Sequence, residues 1–182
     1  AVNSSTPNNN FQRVNISSYV GGEDSVKIAF LFNGDYYFWM IDDIAVEQAP
    51  RVDMSITDTK FLPDTSRNRV VEYGIIPDSN KTFLSFQARV RNIGTTIRNN
   101  VQLQVSVIDT TAPNTPVFTG TSLMLPSLDP FTDTLLTIST AYTPTVRKFS
   151  RVNYSLNFDS VSLDSTANNT ASRQFELTDS LM

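Results

Sequence analysis

The run Val101-Gln102-Leu103-Gln104-Val105-Ser106-Val107 alternates apolar and polar residues without a break, and Val152-Asn153-Tyr154-Ser155-Leu156-Asn157-Phe158 repeats the pattern further along. A β-strand sends successive side chains to opposite faces, so each run has one apolar face and one wet face. That is the signature of an antiparallel strand with a core on one side. Working outward, short runs of the same period are divided by Gly, Pro, Asn and Asp. They predict strands near 11–17, 24–33, 37–48, 51–60, 69–76, 82–92, 100–109, 116–125, 132–141, 149–159 and 171–178. No stripe with the helical period persists, so almost no helix is expected.

The boundary between modules is expected at Ala49-Pro50, where an aromatic-rich run ends and the amphipathic run Val52, Met54, Ile56 begins. Residues 51–182 hold enough short strands for one immunoglobulin-like antiparallel β-sandwich. Residues 1–50 hold three, too few to bury two faces. They read as the terminal strands of a second, larger sandwich, after a flexible tail at 1–10. Neighbouring modules of the parent chain, or another chain, are expected to complete residues 11–48. Leu181-Met182, after the turn-like Asp179-Ser180, read as the start of a further module or a cut end.

The 182 residues carry a net charge of -4, with 18% charged side chains, no cysteine and no histidine. Ser, Thr and Asn together number 57, so hydroxyls and amides cover the surface where Lys and Glu usually do. Without His or Cys there is no Ser-His-Asp triad, no thiol nucleophile, no disulfide and no zinc site with nitrogen or sulfur ligands. Scattered Arg on an acidic chain is no match for a phosphate backbone, so no nucleic acid is expected as partner. No apolar run reaches the length of a membrane-spanning helix, and no membrane insertion is expected.

Two stretches carry family resemblances. Phe11 to Val46 resembles the end of jelly-roll modules related to MAM domains and to the cleaved-adhesin modules of gingipain-like proteins from Bacteroidetes. Trp39, Ile41, Asp42, Asp43 and Ile44 match the recurrent aromatic-then-Ile-Asp-Asp-Ile ending, and Ser25 to Phe30 matches the strand before it. Residues 51–182 resemble a bacterial immunoglobulin-like module of the CARDB type, related to cell adhesion. Val90-Arg91-Asn92-Ile93-Gly94-Thr95 is similar to its strand-ending Asn-x-Gly signature, and Leu163-Asp164 through Asn168-Asn169-Thr170 to its acidic, Asn-rich final turn. The succession implies a modular protein that is secreted or displayed on a cell surface.

Three groups of residues carry candidate chemistry. Asp42 and Asp43 are adjacent carboxylates at which the apolar parity changes, so a bulge is expected there. Their charges need backbone donors, Arg, water or a cation. Calcium, which takes oxygen ligands in flexible geometry, is the natural ion, and the resemblance implies a structural one in some relatives. No other cofactor is expected. Tyr36, Tyr37 and Trp39 lie in the densest aromatic run and are either core or a platform for stacking on a glycan. Asp followed by Ser or Thr and then an apolar residue or Thr resembles the Bacteroidetes O-glycosylation sequon. It occurs at Ser25, Thr110, Thr134, Ser160, Ser165 and Ser180, against a chance expectation of about one, although turns that lead into strands produce the same pattern.

The expected function is non-catalytic: adhesion, or structural spacing at or beyond a bacterial surface. The alternatives are a carbohydrate-binding accessory module of a secreted hydrolase or peptidase, and a filament subunit completed by strands from a neighbouring chain.

Overall fold

The alternating run at 101–107 lies inside the longest strand among the described residues, Arg98–Asp109. The computed structural model describes residues 14–34, 41, 43–62, 74–77, 84–109, 115–144, 149–164 and 167–178. Among the described residues nine strands follow one another: β1 Met54–Leu62, β2 Ile75–Pro77, β3 Ser85–Asn92, β4 Arg98–Asp109, β5 Phe118–Thr121, β6 Leu125–Leu128, β7 Asp133–Thr137, β8 Phe149–Asn157 and β9 Thr170–Thr178. The protein is an all-β antiparallel sandwich. The chain divides into two units, Ala1–Val46 and Glu47–Met182, and all nine strands belong to the second.

In the second unit, one sheet has the order β1-β3-β7 and the other β2-β9-β8-β4-β5, with β6 also paired to β4. Pairing is antiparallel except for β2 on β9. The alternation becomes burial directly. Val101, Leu103, Val105 and Val107 of β4, and Val152, Tyr154 and Leu156 of β8 with the adjoining Phe158, all point into one core. Phe61 and Phe86 of the smaller sheet close that core against the larger one. Phe61 stands edge-on to Phe175 at 5.7 Å between ring centroids, and Phe86 edge-on to Tyr154 at 6.4 Å. Each such ring removed from water contributes about 1.5–3 kcal/mol, and edge-to-face pairing adds to that.

Two irregularities refine the expected strands. In β1 the register against β3 shifts between Ile56 and Asp58, so Thr57 is the extra residue of a bulge. Its hydroxyl donates to the Arg89 carbonyl at 3.2 Å. The shift lets Met54 and Phe61, seven residues apart and of opposite parity, both face the core. The run expected as one strand at 116–125 is two, β5 and β6. Ser122 divides them: its hydroxyl accepts from Leu103 N at 3.0 Å and donates to the Leu123 carbonyl at 2.8 Å. Ser122 also forms a single antiparallel bridge to Ile138, before β6 returns to β4.

The first unit departs from expectation. Its described residues form one short helix, α1 at Ser17–Val20, and no strand. The expected strand at 24–33 is unladdered, and so are residues 41 and 43–48 of the one expected at 37–48. Val26 and Ile28 are each 47% exposed and Leu31 is 88% exposed. A strand exists only where a neighbouring strand takes up its N–H and C=O groups in a ladder, and no ladder is formed among the described residues of this unit.

Candidate functional site

The polar side chains that sequence most favours at turns converge on the segment that leads into β1. The hydrogen bonds there start from Asn92, which is buried at the end of β3. Its Nδ2 donates to the carbonyls of Thr96 and Leu128, each at 3.0 Å, and its Oδ1 accepts from Gly94 N at 3.1 Å. The turn so fixed grips the incoming chain. Ile93 N and Gly94 N donate to the Asp53 carbonyl at 2.8 and 2.9 Å, Thr95 N to that of Pro50 at 3.0 Å, and the Thr96 hydroxyl to that of Arg51 at 2.6 Å. Arg98, itself buried, donates to the same Thr96 hydroxyl and to the Thr96 carbonyl. Gly94 is required by close approach: a Cβ there would stand 2.7 Å from the Arg51 carbonyl oxygen and 2.9 Å from Asp53 N.

A second turn grips the other side. Asp164 follows the short 3-10 turn Val161–Leu163 and aims its carboxylate at the start of β1. Its Oδ2 accepts from Met54 N at 2.8 Å and from Asn169 Nδ2 at 2.9 Å. Asn168 Nδ2 donates to Asp53 Oδ1 at 2.9 Å, and the Asn168 carbonyl accepts from Ile56 N at 2.9 Å. Hydrogen bonds to an ionised carboxylate are stronger than neutral ones, so these hold the segment firmly. The two motifs that carry the CARDB-type resemblance, Val90 to Thr95 and Leu163 to Thr170, are therefore the two turns that seize residues 50–56 from either side.

Asp164 Oδ1 and Asn168 Oδ1 are buried acceptors with no hydrogen bond, positions that a water or a hard cation satisfies. Among the described residues, no three of His, Cys, Asp and Glu gather as a metal site.

Further along β1, Arg173 of β9 donates to the Thr59 carbonyl and lies over the Phe61 ring at 4.8 Å. The Tyr154 hydroxyl reaches the Lys60 carbonyl at 3.5 Å. Burial pushes the Tyr154 phenol well above its ordinary pKa, with Arg173 opposing the rise and Asp58 adding to it. Burial, reinforced by Asp109, likewise raises Tyr142.

The residues singled out from sequence fall elsewhere. Asp42, Tyr36, Tyr37, Trp39, Thr110, Ser165 and Ser180 lie outside the described residues. Asp43 is exposed, with left-handed backbone (φ 50°), in a stretch that forms no ladder. A bulge needs a paired strand, and none is present among the described residues there. Ser25 and Ser160 are exposed, Ser160 with φ 67°, whereas Thr134 is half-buried in β7 opposite Val90. Sequence reasoning marked the Asn92-x-Gly94 and Asp164 to Thr170 turns but not what they hold. The signal was there: small polar residues beside Gly at strand ends, whose side chains favour turn hydrogen bonds.

A shallow groove of about 470 Å³ crosses the outer faces of β4, β5 and β8. Gln104, Ser106, Thr119, Thr121, Thr140 and Ser155 line it, and its lining holds no ionisable side chain.

No protein family matches the chain, and no curated protein does. Solved structures do. The crystal structure of the CARDB domain of a Pyrococcus furiosus protein, in complex with di-metal ions, is 15% identical, with a TM-score of 0.47 over 77% of this chain and 100% of that one. A solution NMR structure of the same domain is 16% identical, with a TM-score of 0.42 over 70% of this chain and 92% of that one.

Proposed function

We propose that residues 47–182 are a non-catalytic structural spacer of an extracellular bacterial protein, related to CARDB-type adhesion modules, that holds neighbouring elements apart. One observation carries the reading: β1 and β9 lie side by side and run in the same direction. Met54 and Ile56 meet Asp164 and Asn168, Thr59 meets Arg173, and Phe61 meets Phe175. The chain thus enters this unit at one end and leaves at the other. With β1 and β9 at nine residues each and a rise of about 3.3 Å per residue, the ends stand roughly 30 Å apart. The Ser-, Thr- and Asn-rich surface suits display outside the cell.

Since the chain has no cysteine, Gln48→Cys and Thr178→Cys create a unique pair for spin labels. A single distance of roughly 30 Å or more is expected. A separation under about half of that, or turnover of a polysaccharide or peptide by the full chain, would overturn the reading.

A second reading has its own observation. Among the described residues, Val26 and Ile28 stand at period-two spacing in a stretch without a ladder and are each about half exposed, the form of a strand that a neighbouring chain completes by β-augmentation. Oligomers whose formation protects the amides of 25–32 from exchange would establish it, and concentration-independent monomers would exclude it.

A further inference from the structure

We infer that β1, β9 and the side chains of Asp164 and Asn168 form a clamp that resists tension along the chain, which makes this unit a force-bearing element. The inference rests on the spacer reading and adds a mechanical property to it.

Tension between the incoming end at 47–53 and the outgoing end at 178 draws β1 toward one end of the sandwich and β9 toward the other. Each is bound to a neighbour in its own sheet, β1 to β3 over Met54–Leu62 and β9 to β8 over Thr170–Glu176. Antiparallel hydrogen bonds lie across the strands. A pull along the strand axis therefore loads the whole ladder at once, instead of opening it pair by pair from an end.

β1 and β9 belong to different sheets, so side chains couple them directly. Asn168 holds Asp53, Asp164 holds Met54 N, and Arg173 holds the Thr59 carbonyl and covers the Phe61 ring. Sliding either strand along the other breaks bonds at both ends of this row together. The links nearest the incoming end involve ionised carboxylates, the stronger class of hydrogen bond. The Asn92–Thr96 turn grips carbonyls of the same incoming segment from the opposite side. The first residues to feel a load are thus those with the most anchors.

The test is single-molecule stretching of the full chain through paired cysteines. Handles at Gln48→Cys and Thr178→Cys load the strands along their axes. Handles at Gln48→Cys and Ala167→Cys lie at one end of the sandwich and peel β1 from Asp164 and Asn168. The expected unfolding force is about twofold or more higher along 48–178 than along 48–167, because bonds of similar strength yield together in the first case and in turn in the second. Arg173→Met should lower the 48–178 force and leave the 48–167 force unchanged, since peeling begins before Thr59 is reached. If that variant does not fold, Asn168→Ala, which keeps the backbone bond to Ile56 N, should lower the 48–178 force relative to the unaltered chain. Equal forces in the two directions, or an unchanged 48–178 force in the folded variant, would overturn the clamp. The spin-label distance separates this from failure of the spacer: a long distance with equal forces removes the clamp alone, and a short distance removes both.

Discussion

The carboxylate of Asp164 accepts a hydrogen bond from the backbone N–H of Met54 at 2.8 Å, across a separation of 110 residues. Met54 is buried, so that N–H has no water to turn to. Asp164→Ala removes its acceptor and that of Asn169 Nδ2 together. A loss of about 2–4 kcal/mol is expected in urea unfolding of the full chain followed by circular dichroism. Asp164→Asn, which keeps one oxygen, is expected to lose less. Equal losses would mean that the charge, rather than the acceptor geometry, carries the effect.

Gly94→Ala is expected to destabilise by about 2 kcal/mol or more although it adds a single methyl group. The new carbon would press on the backbone of Arg51 and Asp53, which cannot rotate aside as a side chain can. Hydrogen exchange locates the effect: the amides of Met54 and Ile56 should lose protection before those of β4 and β8.

Phe86 touches Phe61, Phe118, Tyr142 and Tyr154, and so ties both sheets to one aromatic cluster. Phe86→Ala is expected to cost about 3–5 kcal/mol, the range for emptying a packed aromatic site. The urea midpoint reads this. A loss below about 1 kcal/mol would show that the core closes over the gap.

Stability is expected to be level through neutral pH, as far as the tyrosines govern it, and to fall above about pH 10. Tyr154 and Tyr142 are both held above the ordinary tyrosine pKa by burial. Above that value the unfolded chain gives up these protons while the folded one keeps them, so the unfolded state binds fewer and gains as pH rises. Tyr154→Phe loses only the long bond to the Lys60 carbonyl and should flatten the alkaline decline, measured as urea midpoints between pH 8 and 11.

Sequence made the sandwich legible where burial is local. The parity of Val101 to Val107 and of Val152 to Phe158 maps onto the core without a slip, because side-chain direction in a strand depends only on position. It did not show that Thr57 is a bulge or that Ser122 ends β5, since both depend on what lies across the sheet. The turns at Asn92 to Thr95 and Asp164 to Thr170 stood out as motifs, but their shared target at 50–56 did not. No local pattern states which distant backbone group an Asn or Asp side chain will reach. The apolar period at 24–33 promised a strand and yielded none among the described residues, because alternation describes a face and a ladder also requires a neighbour.

The co-directional course of β1 and β9 also governs how this unit can spread by gene duplication. Insertion into a hairpin of a host protein demands two termini about 5 Å apart, the spacing of neighbouring strands, which ends at opposite poles cannot meet. Copies of residues 47–178 fused in tandem would instead each add their length along the axis of β1 and β9.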